Sequence, residues 1–598
     1  MRKPLLISAL VCLIWMPSLP APQEAFDLLR KGDVQAVRAV IERSPQLLET
    51  KDGDGNTLLH IAANGTNAGF AAFLIDKGAK VEAQNAAKKT PLHIAAMNDR
   101  GEIAALLLKR GAALETKDDY GRTALVLCAR QGGQAATGRL LIEAGADLNA
   151  VDRFGDSALS LATWRGKADF VDLLLEKGAK IPGGELGWRM VIMSASQGLT
   201  NLFRRLSESR DLKGMAAQVP TLLHSAAAGG SAEIIGTLLD LGLDPARADR
   251  FGWTPLHYAA RDGRADAARK LIERGAPIDA RNIMGQTAFN VAQERKMDAA
   301  AAALKEKGAD ASAIRFPELK GDYLGQTPPA GQPELFGLGI VSSIWGLHST
   351  AVFSPDGSEV VWAPMIDVPG KLYSEGGLLM MKRVDGRWTP PAYMPFSGPD
   401  QGDDVPFFTP DGKRLYFISN RPRPGESGPQ KERIWSVDRM PGGWGKPQML
   451  DAVVNDHALH WSFSLDKDGN LYFGGGGADS LGQQDVYVAR FVDGKYEKPV
   501  SLGAPVCSAD AEQTPFVAWN GSYLVFQRGM HLAVSFRGAD GAWSAPIDMG
   551  PEVNSEEFDL CPVVTADGKY LFFLSQREGE SHAYWVKADV IERLRPKR

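Results

Sequence analysis

The first half of the sequence repeats itself every 33 residues, and this period limits what the chain can fold into. His60 and His93 are 33 residues apart, and so are His224 and His257. Apolar residues at helical spacing surround each of these histidines, and a turn follows them. A unit this short cannot bury its own apolar face, so copies must stack side by side. The first half is therefore expected to be an all-α solenoid.

Two local signals accompany the clear copies, which start at residues 56, 89, 122, 156, 221, 253 and 286. Thr90-Pro91 and Thr254-Pro255 are typical helix starts, because threonine caps a helix and proline lacks an N–H that the first turn does not need. With the glycines that end each second helix, these phrases resemble the ankyrin repeat over residues 23–315. The count is about nine units, of which 184–218 is degenerate.

The resemblance implies that protein partners bind to the loop tips and to the groove lined by the first helices. Exposed aromatic and arginine side chains are the usual anchors of protein interfaces, although single exposed aromatics are also common without any role. The candidate residues are Tyr120, Phe154, Phe251 and Trp253 at the tips, and Met97, Arg130, Trp164 and Arg261 in the groove. The recurring histidines are expected to be structural, because in ankyrin repeats they bond to neighbouring backbone.

A second repeat begins after a segment rich in proline and glycine, 316–337, which is interpreted as a linker. Two apolar strands flank an Asp-Gly or Asn-Gly turn in five copies, with glycines at 357, 412, 469, 521 and 568. The spacing of these glycines is typical of propeller blades and indicates an all-β propeller over 338–598. With the SNR of 419–421 and the SQR of 575–577, the copies resemble the WD-type repeats of the TolB-like family. A sixth blade is an alternative, formed by 335–347 with the C-terminal strand.

One position of the propeller repeat always carries an ionisable side chain, eight residues before the Asp or Asn of the turn. If these side chains face the channel, they form a ring that suits a divalent cation or a small cationic ligand. Alternatively, the acids pair with Arg421, Arg528 and Arg577 between neighbouring blades. The five residues are His348, Asp403, His460, Glu512 and Asp559.

Residues 1–22 combine Arg2 and Lys3 with an apolar run from Leu5 to Met16, which is typical of a signal peptide or an N-terminal anchor. We expect export to the periplasm or another extracytoplasmic space, and no membrane span beyond this segment. In such a compartment Cys507 and Cys561 could form a disulfide, a question that the sequence leaves open.

The overall charge and the absence of catalytic motifs narrow the function. A net charge of −5 lacks the basic footprint of a nucleic-acid binder. The sequence contains none of the common catalytic or cofactor signatures, so neither a cofactor nor an enzymatic activity is expected. The leading hypothesis is an exported, non-enzymatic scaffold that binds protein partners. The alternative is an enzyme, or a ligand- or metal-binding protein, that uses the propeller channel to act on a sugar or peptide.

Overall fold

The computed structural model divides the chain into two compact units, which are described separately. The first unit runs to Arg247 and also includes Thr254–Ala280 and Ala288–Ala311, whereas the second comprises Ala248–Trp253, Arg281–Thr287 and Ser312–Arg598. The described residues are 22–131, 135–208, 212–214, 219–312, 314–344, 346–365, 376–399, 401–423 and 431–596. The predicted signal peptide or anchor, residues 1–22, lies outside the described residues except for Pro22, which begins the first helix.

Within the described residues, the first unit contains nine helix pairs. They are α1 Pro22–Arg30 and α2 Val34–Arg43, α3 Leu58–Asn64 and α4 Ala68–Asp76, α5 Pro91–Met97 and α6 Gly101–Lys109, α7 Ala124–Arg130 and α8 Ala135–Glu143, α9 Ala158–Trp164 and α10 Ala168–Glu176, α11 Gly184–Ser196 and α12 Thr200–Glu208, α13 Leu222–Gly229 and α14 Ala232–Asp240, α15 Pro255–Arg261 and α16 Ala265–Glu273, and α17 Ala288–Glu294 and α18 Asp298–Glu306. A short 3₁₀ helix, Pro45–Glu49, follows α2. The helical solenoid expected from the repeat is confirmed.

Two of the recurring histidines, His60 and His93, each bond their own repeat to the next one. The backbone N–H of Thr90 donates to Nδ1 of His93 at 3.0 Å, and Nε2 of His93 lies 3.1 Å from the carbonyl oxygen of Arg122 in the following repeat. His60 makes the same two contacts with Thr57 and with the Lys89 carbonyl. Burial lowers the pKa of both imidazoles and so favours their neutral form. The structural role expected for these histidines agrees with this geometry.

The second unit contains five four- or five-stranded blades. In chain order the strands are β1 Glu334–Leu335, β2 Leu347–Phe353, β3 Glu359–Pro364, β4 Leu379–Val384, β5 Arg387–Trp388, β6 Ala392–Tyr393, β7 Asp403–Phe408, β8 Arg414–Ser419, β9 Arg433–Met440, β10 Gly443–Trp444, β11 Gln448–Met449, β12 Ala458–Leu465, β13 Leu471–Gly476, β14 Asp485–Ala489, β15 Phe491–Val492, β16 Lys495–Tyr496, β17 Val500–Ser501, β18 Glu512–Val517, β19 Tyr523–Arg528, β20 His531–Phe536, β21 Ile547–Asp548, β22 Asp559–Val564, β23 Tyr570–Glu578 and β24 Glu580–Lys587. Two short helices, α19 Ala452–Asn455 and α20 Asp589–Arg593, complete the unit. The first strands of consecutive blades, β2, β7, β12, β18 and β22, contact one another around the ring.

The ring closes through the two ends of the propeller sequence. The fifth blade has only three strands of its own, and β1 supplies the fourth by pairing antiparallel with β24, so that Glu334 lies opposite Trp585. The propeller therefore has five blades within the described residues, and residues 334–335 complete the fifth instead of starting a sixth. Closure in this way covers a strand edge that would otherwise remain unpaired.

Residues 316–337, interpreted above as a linker, belong to the second unit. The Tyr323 ring packs against the rings of Phe353 and Tyr570, with centroids 5.1 and 5.0 Å apart. Nε1 of Trp388 donates to the carbonyl oxygen of Gly321 at 2.8 Å, and Phe336 is fully buried. Composition alone indicates a spacer, but the aromatic side chains of this segment pack against the propeller and extend its core.

None of the helices in the described part of the chain has both the length and the apolarity that a membrane span requires.

Candidate functional site

The tips of the helical repeats share a local construction that the sequence specifies. At the third clear copy, Oδ1 of Asp118 accepts the backbone N–H groups of Tyr120 and Arg122 at 2.9 and 3.0 Å. Gly121 between them has φ +75°, a conformation that favours glycine. Because the aspartate fixes the turn, the residue two positions later is held at the outer end of the repeat.

Two of the predicted tip residues, Tyr120 and Phe154, are exposed, at 40% and 65%. The Arg153 guanidinium lies 4.1 Å from the centroid of the Tyr120 ring and 4.9 Å from that of Phe154. The backbone N–H of Arg153 donates to the Tyr120 carbonyl at 2.9 Å and so joins two neighbouring tips. The structure therefore adds Arg153 to the two aromatic side chains that the sequence pointed to.

The other two predicted tip residues are buried. Phe251 and Trp253 are each only 7% exposed, and both belong to the second unit. In that unit the Phe251 ring lies 5.8 Å from the ring of His582. The expected exposure of these two side chains is thus not found, because the segment 248–253 packs within the second unit.

The four predicted groove residues stand at equivalent helix ends but differ in environment. Trp164 is 44% exposed, and the Arg189 guanidinium lies 4.9 Å from its ring. Arg130 is exposed and Met97 is half-buried. Arg261 is half-buried and is bound to Asp262, at 2.6 Å between Nη2 and Oδ2. Trp164 and Arg130 therefore offer the most accessible surface of the four.

In the propeller, the three acids of the predicted ring share one register, but the two histidines do not share it. Asp403 lies opposite Ser419, Glu512 opposite Arg528 and Asp559 opposite Ser575, each of these partners following its turn glycine by seven residues. In the other two blades Leu347 and Ala458 occupy the equivalent register. Strand β2 has two register shifts where the acid-bearing strands have one, and this displaces His348. In β12 the register shifts by two residues after His460, and the turn that follows is one residue shorter than in the other blades. Counting along the sequence does not detect either offset.

Each of the three acids is fully buried and is paired with an arginine of its own blade. The ion-pair distances are 2.6 Å for Asp403–Arg421, 3.4 Å for Glu512–Arg528 and 3.2 Å for Asp559–Arg577. The pairing that the sequence suggested is found, although it lies within blades and not between them. It explains the SNR and SQR motifs, because their serines face the acids across the strands and their arginines return to them.

Serine donors complete the environment of these carboxylates. Ser555 donates to Oδ2 of Asp559 through its backbone N–H at 2.6 Å and its hydroxyl at 3.0 Å. Ser508 makes the same two contacts with Glu512, at 3.0 and 2.6 Å. Desolvation by burial raises the pKa of Asp403, against the opposing effect of Ser397 and Arg421.

His348 forms an ion pair that the sequence did not indicate. Its Nδ1 lies against Oδ2 of Asp404, a buried residue on the neighbouring first strand. Burial opposes ionisation of Asp404, yet the charge and hydrogen bond of His348 hold the pKa of this carboxyl below its ordinary value. The side chain of His460 lies outside the described residues.

One cluster of possible metal ligands occurs among the described residues. Ligand atoms of Asp485, Cys507 and Glu512 lie within 4.8 Å of one another, and all three residues are buried. Burial raises the pKa of the Cys507 thiol to about 11, so it is protonated at neutral pH, and its Sγ lies 3.7 Å from the Val486 carbonyl oxygen. Asp485 accepts the Ser501 hydroxyl at 2.6 Å. The protein's own donors therefore already satisfy this cluster.

Added Zn²⁺ or Ca²⁺ should consequently leave the thermal unfolding of the propeller unchanged, to within about 1 °C. The three ring acids are neutralised by arginines, and the buried Cys507 thiol would have to lose its proton before it could bind a metal. Differential scanning calorimetry with and without each ion measures the shift. A rise of several degrees that is lost in Glu512→Gln would show that the cluster does bind a metal.

The cysteines considered for a disulfide are both free thiols. Cys507 lies beside Val486, whereas Sγ of Cys561 lies 4.0 Å from the carbonyl oxygen of His348. Each thiol is thus buried next to a different backbone carbonyl.

A cavity of about 560 Å³ opens where the five first strands end. Its walls are mainly apolar and come from all five blades, and Trp519 at the lining is 39% exposed. One wall residue from each blade in turn is Phe353, Phe407, Leu465, Phe516 and Val563. Such a cavity can take an apolar group.

Comparison with known families identifies the helical unit. The sequence matches the family described as ankyrin repeats at residues 27–118, 110–183, 191–282 and 223–315. A search of curated proteins finds no match to the chain. The helical region is therefore an ankyrin-repeat region, and a five-bladed propeller follows it.

Proposed function

Because residues 27–183 and 191–315 are ankyrin repeats, we propose that this protein is a non-enzymatic scaffold that binds protein partners through their tips and groove. The observation that carries the proposal is the exposure of Tyr120, Phe154 and Trp164. These are large aromatic side chains on the surface of the repeats, and such side chains are typical anchors of protein interfaces. The propeller adds a second surface around its apolar cavity. Its resemblance to TolB-like, WD-type repeats supports a binding role by analogy.

Trp164→Ala should weaken partner binding by about 2 kcal/mol while shifting the melting temperature by no more than about 2 °C. The Trp164 ring is almost half exposed, so its removal leaves little buried volume empty. The measurement is affinity capture of partners by the full chain, followed by titration of the captured partner against wild type and variant.

Trp188→Ala is the matched control for this experiment. Trp188 lies on α11 and packs against the helical core, so its removal should lower the melting temperature. If Trp164→Ala instead destabilises the protein and the folded fraction binds its partner normally, Trp164 belongs to the core and the proposal loses its main support.

We further propose that the protein is exported and acts outside the cytoplasm, on the strength of Arg2, Lys3 and the apolar run that follows them. Cell fractionation with an antibody to the propeller tests this proposal. An unprocessed chain found free in the cytoplasm would contradict it.

A ligand-binding or enzymatic role of the propeller channel is the second candidate, and the His348–Asp404 pair favours it. A carboxylate that orients an imidazole is a common arrangement for proton transfer to or from a substrate. Hydrolysis of a sugar or peptide that is lost in His348→Ala, in a protein with unchanged melting temperature, would support this role. If the activity survives the substitution, the enzymatic role loses the one observation that supports it.

A further inference from the structure

The tip segment Asp152–Asp156 has a near copy elsewhere in the chain. Residues 152–155 and 249–252 both read Asp-Arg-Phe-Gly. Asp152 accepts the N–H of Phe154 at 2.9 Å, as Asp249 accepts that of Phe251 at 2.9 Å. The glycines have φ +84° and +76°. The two segments thus present an arginine and a phenylalanine on the same kind of turn.

The copy at 249–252 shows what this turn binds. Within the second unit, the Arg250 guanidinium lies 4.8 Å from the Phe251 ring and forms an ion pair with Glu578. Nη2 of Arg250 also lies 2.9 Å from Nε2 of His582, against whose ring Phe251 packs. The Arg-Phe turn is therefore filled by a carboxylate and an adjacent aromatic ring.

The copy at 152–155 has the same groups, and within the described part of the chain no such occupant fills it. Phe154 is 65% exposed, against 7% for Phe251. Arg153 is exposed, and no carboxylate of the described residues forms an ion pair with it. The acids nearest in sequence on the neighbouring tip are engaged elsewhere, since Asp118 binds Arg122 at 2.7 Å and Asp119 binds Lys88 at 3.1 Å.

Tyr120 makes the copy at 152–155 a better binding site than the copy at 249–252. Its ring lies 4.1 Å from the Arg153 guanidinium, which is also 4.9 Å from the Phe154 ring. Contact with two rings restrains the guanidinium, while the N–H groups in its plane remain able to bond a carboxylate in a bidentate manner. The rings add apolar area beside it for an aromatic side chain.

From this we infer that Tyr120, Arg153 and Phe154 bind a partner protein segment that presents an aspartate or glutamate next to an aromatic side chain. The inference rests on the proposed function and names the chemistry of the partner at one surface. The acceptor seen at Arg250, Glu578 with the ring of His582, is the pattern expected of the partner.

The test is selection of peptides from a phage-displayed library of random twelve-residue sequences on the immobilised full chain. The enriched peptides should carry an acid within a few residues of an aromatic. Arg153→Ala should lower the affinity of such a peptide at least about tenfold by fluorescence anisotropy, the effect of losing one charge-assisted contact. Arg153→Lys, which keeps the charge and loses the planar stack, should lower it less.

Two further variants keep the result decisive. Arg153→Glu, on which the selection is repeated, should no longer enrich acidic peptides. Arg139→Ala removes an exposed arginine on α8 and should leave binding unchanged. All of these side chains are exposed, so the melting temperatures should agree to within about 2 °C.

Peptides without an acid, acidic peptides that bind Arg153→Ala as well as wild type, or failure to enrich any peptide that depends on Arg153 would overturn the inference. If the selected peptides ignore Arg153 but lose affinity in Trp164→Ala, the protein-binding role stands and only the tip site is wrong. If peptides bind neither surface, the proposed function fails as well.

Discussion

Asp559→Asn should lower the free energy of unfolding of the second unit by about 3 kcal/mol, since it leaves a mostly buried arginine without its counter-ion. Asp559 is fully buried, and Arg577, whose side chain is 21% exposed, lies 3.2 Å from it. Arg577 keeps its bond to the Val553 carbonyl at 2.7 Å but loses the neutralising charge. Urea unfolding followed by tryptophan fluorescence is a suitable measurement, because nine of the 13 tryptophans lie beyond residue 320.

Asp493→Asn is the matched control for this prediction. Asp493 is exposed in the turn between β15 and β16 with φ +52°, where asparagine is equally acceptable, so the change should be close to zero. Asp559→Asn combined with Arg577→Met should recover part of the loss, because it removes the stranded charge. Equal unfolding midpoints for Asp559→Asn and wild type would mean that the ion pair contributes nothing.

The second unit should also lose up to about 2 kcal/mol of stability between pH 7 and pH 5 through His582 alone. Burial and the neighbouring Arg250 charge lower the pKa of His582 to about 4, against an opposing effect of Glu578. In the unfolded chain the imidazole takes up a proton near its ordinary pKa of 6.5, whereas in the folded state it resists protonation down to about 4. Its contribution is therefore present above pH 6.5 and is lost as the pH falls towards 4.

Other groups titrate in the same range, so the prediction concerns a difference between variants. Glutamine at position 582 can still accept a hydrogen bond from Arg250 but cannot be protonated in this range. Unfolding of His582→Gln should therefore depend less on pH than that of wild type, by about 2 kcal/mol between pH 7 and pH 5. His531→Gln, which replaces a histidine whose side chain is 41% exposed, is the matched control. Parallel pH profiles for wild type and His582→Gln would contradict the assignment.

Most of the fold could be predicted because repetition multiplies weak local signals. One Thr-Pro helix start or one Asp-Gly turn says little, but seven copies of the first repeat and five of the second indicate a helical solenoid and a propeller. The sequence also indicates that the segment near residue 335 joins the C-terminal strand, although this pairing completes the fifth blade and does not form a sixth. Counting from the turn failed for His348 and His460, because bulges and turn lengths are set by packing that the repeat pattern does not show.

The candidate site was predicted only in part, for a physical reason. Exposure of a tip depends on what packs against it, so the same Asp-Arg-Phe-Gly turn is open at Phe154 and buried at Phe251. Arg153 could have been found from the sequence, since the duplicated phrase was visible there. That no carboxylate of the described residues pairs with Arg153 could not be found from the sequence, because ion pairs form between residues far apart along the chain.

The strand that closes the propeller has a consequence for synthesis of the chain. Residues 334–335 are made before any of the five blades, and their partner β24 is made last. Until β24 is made, β1 has no partner strand. An unpaired strand edge can pair with another chain that is being made on the same polysome. Because β1 is only two residues long, it offers a wrong partner very few hydrogen bonds, and this shortness protects the unfinished protein.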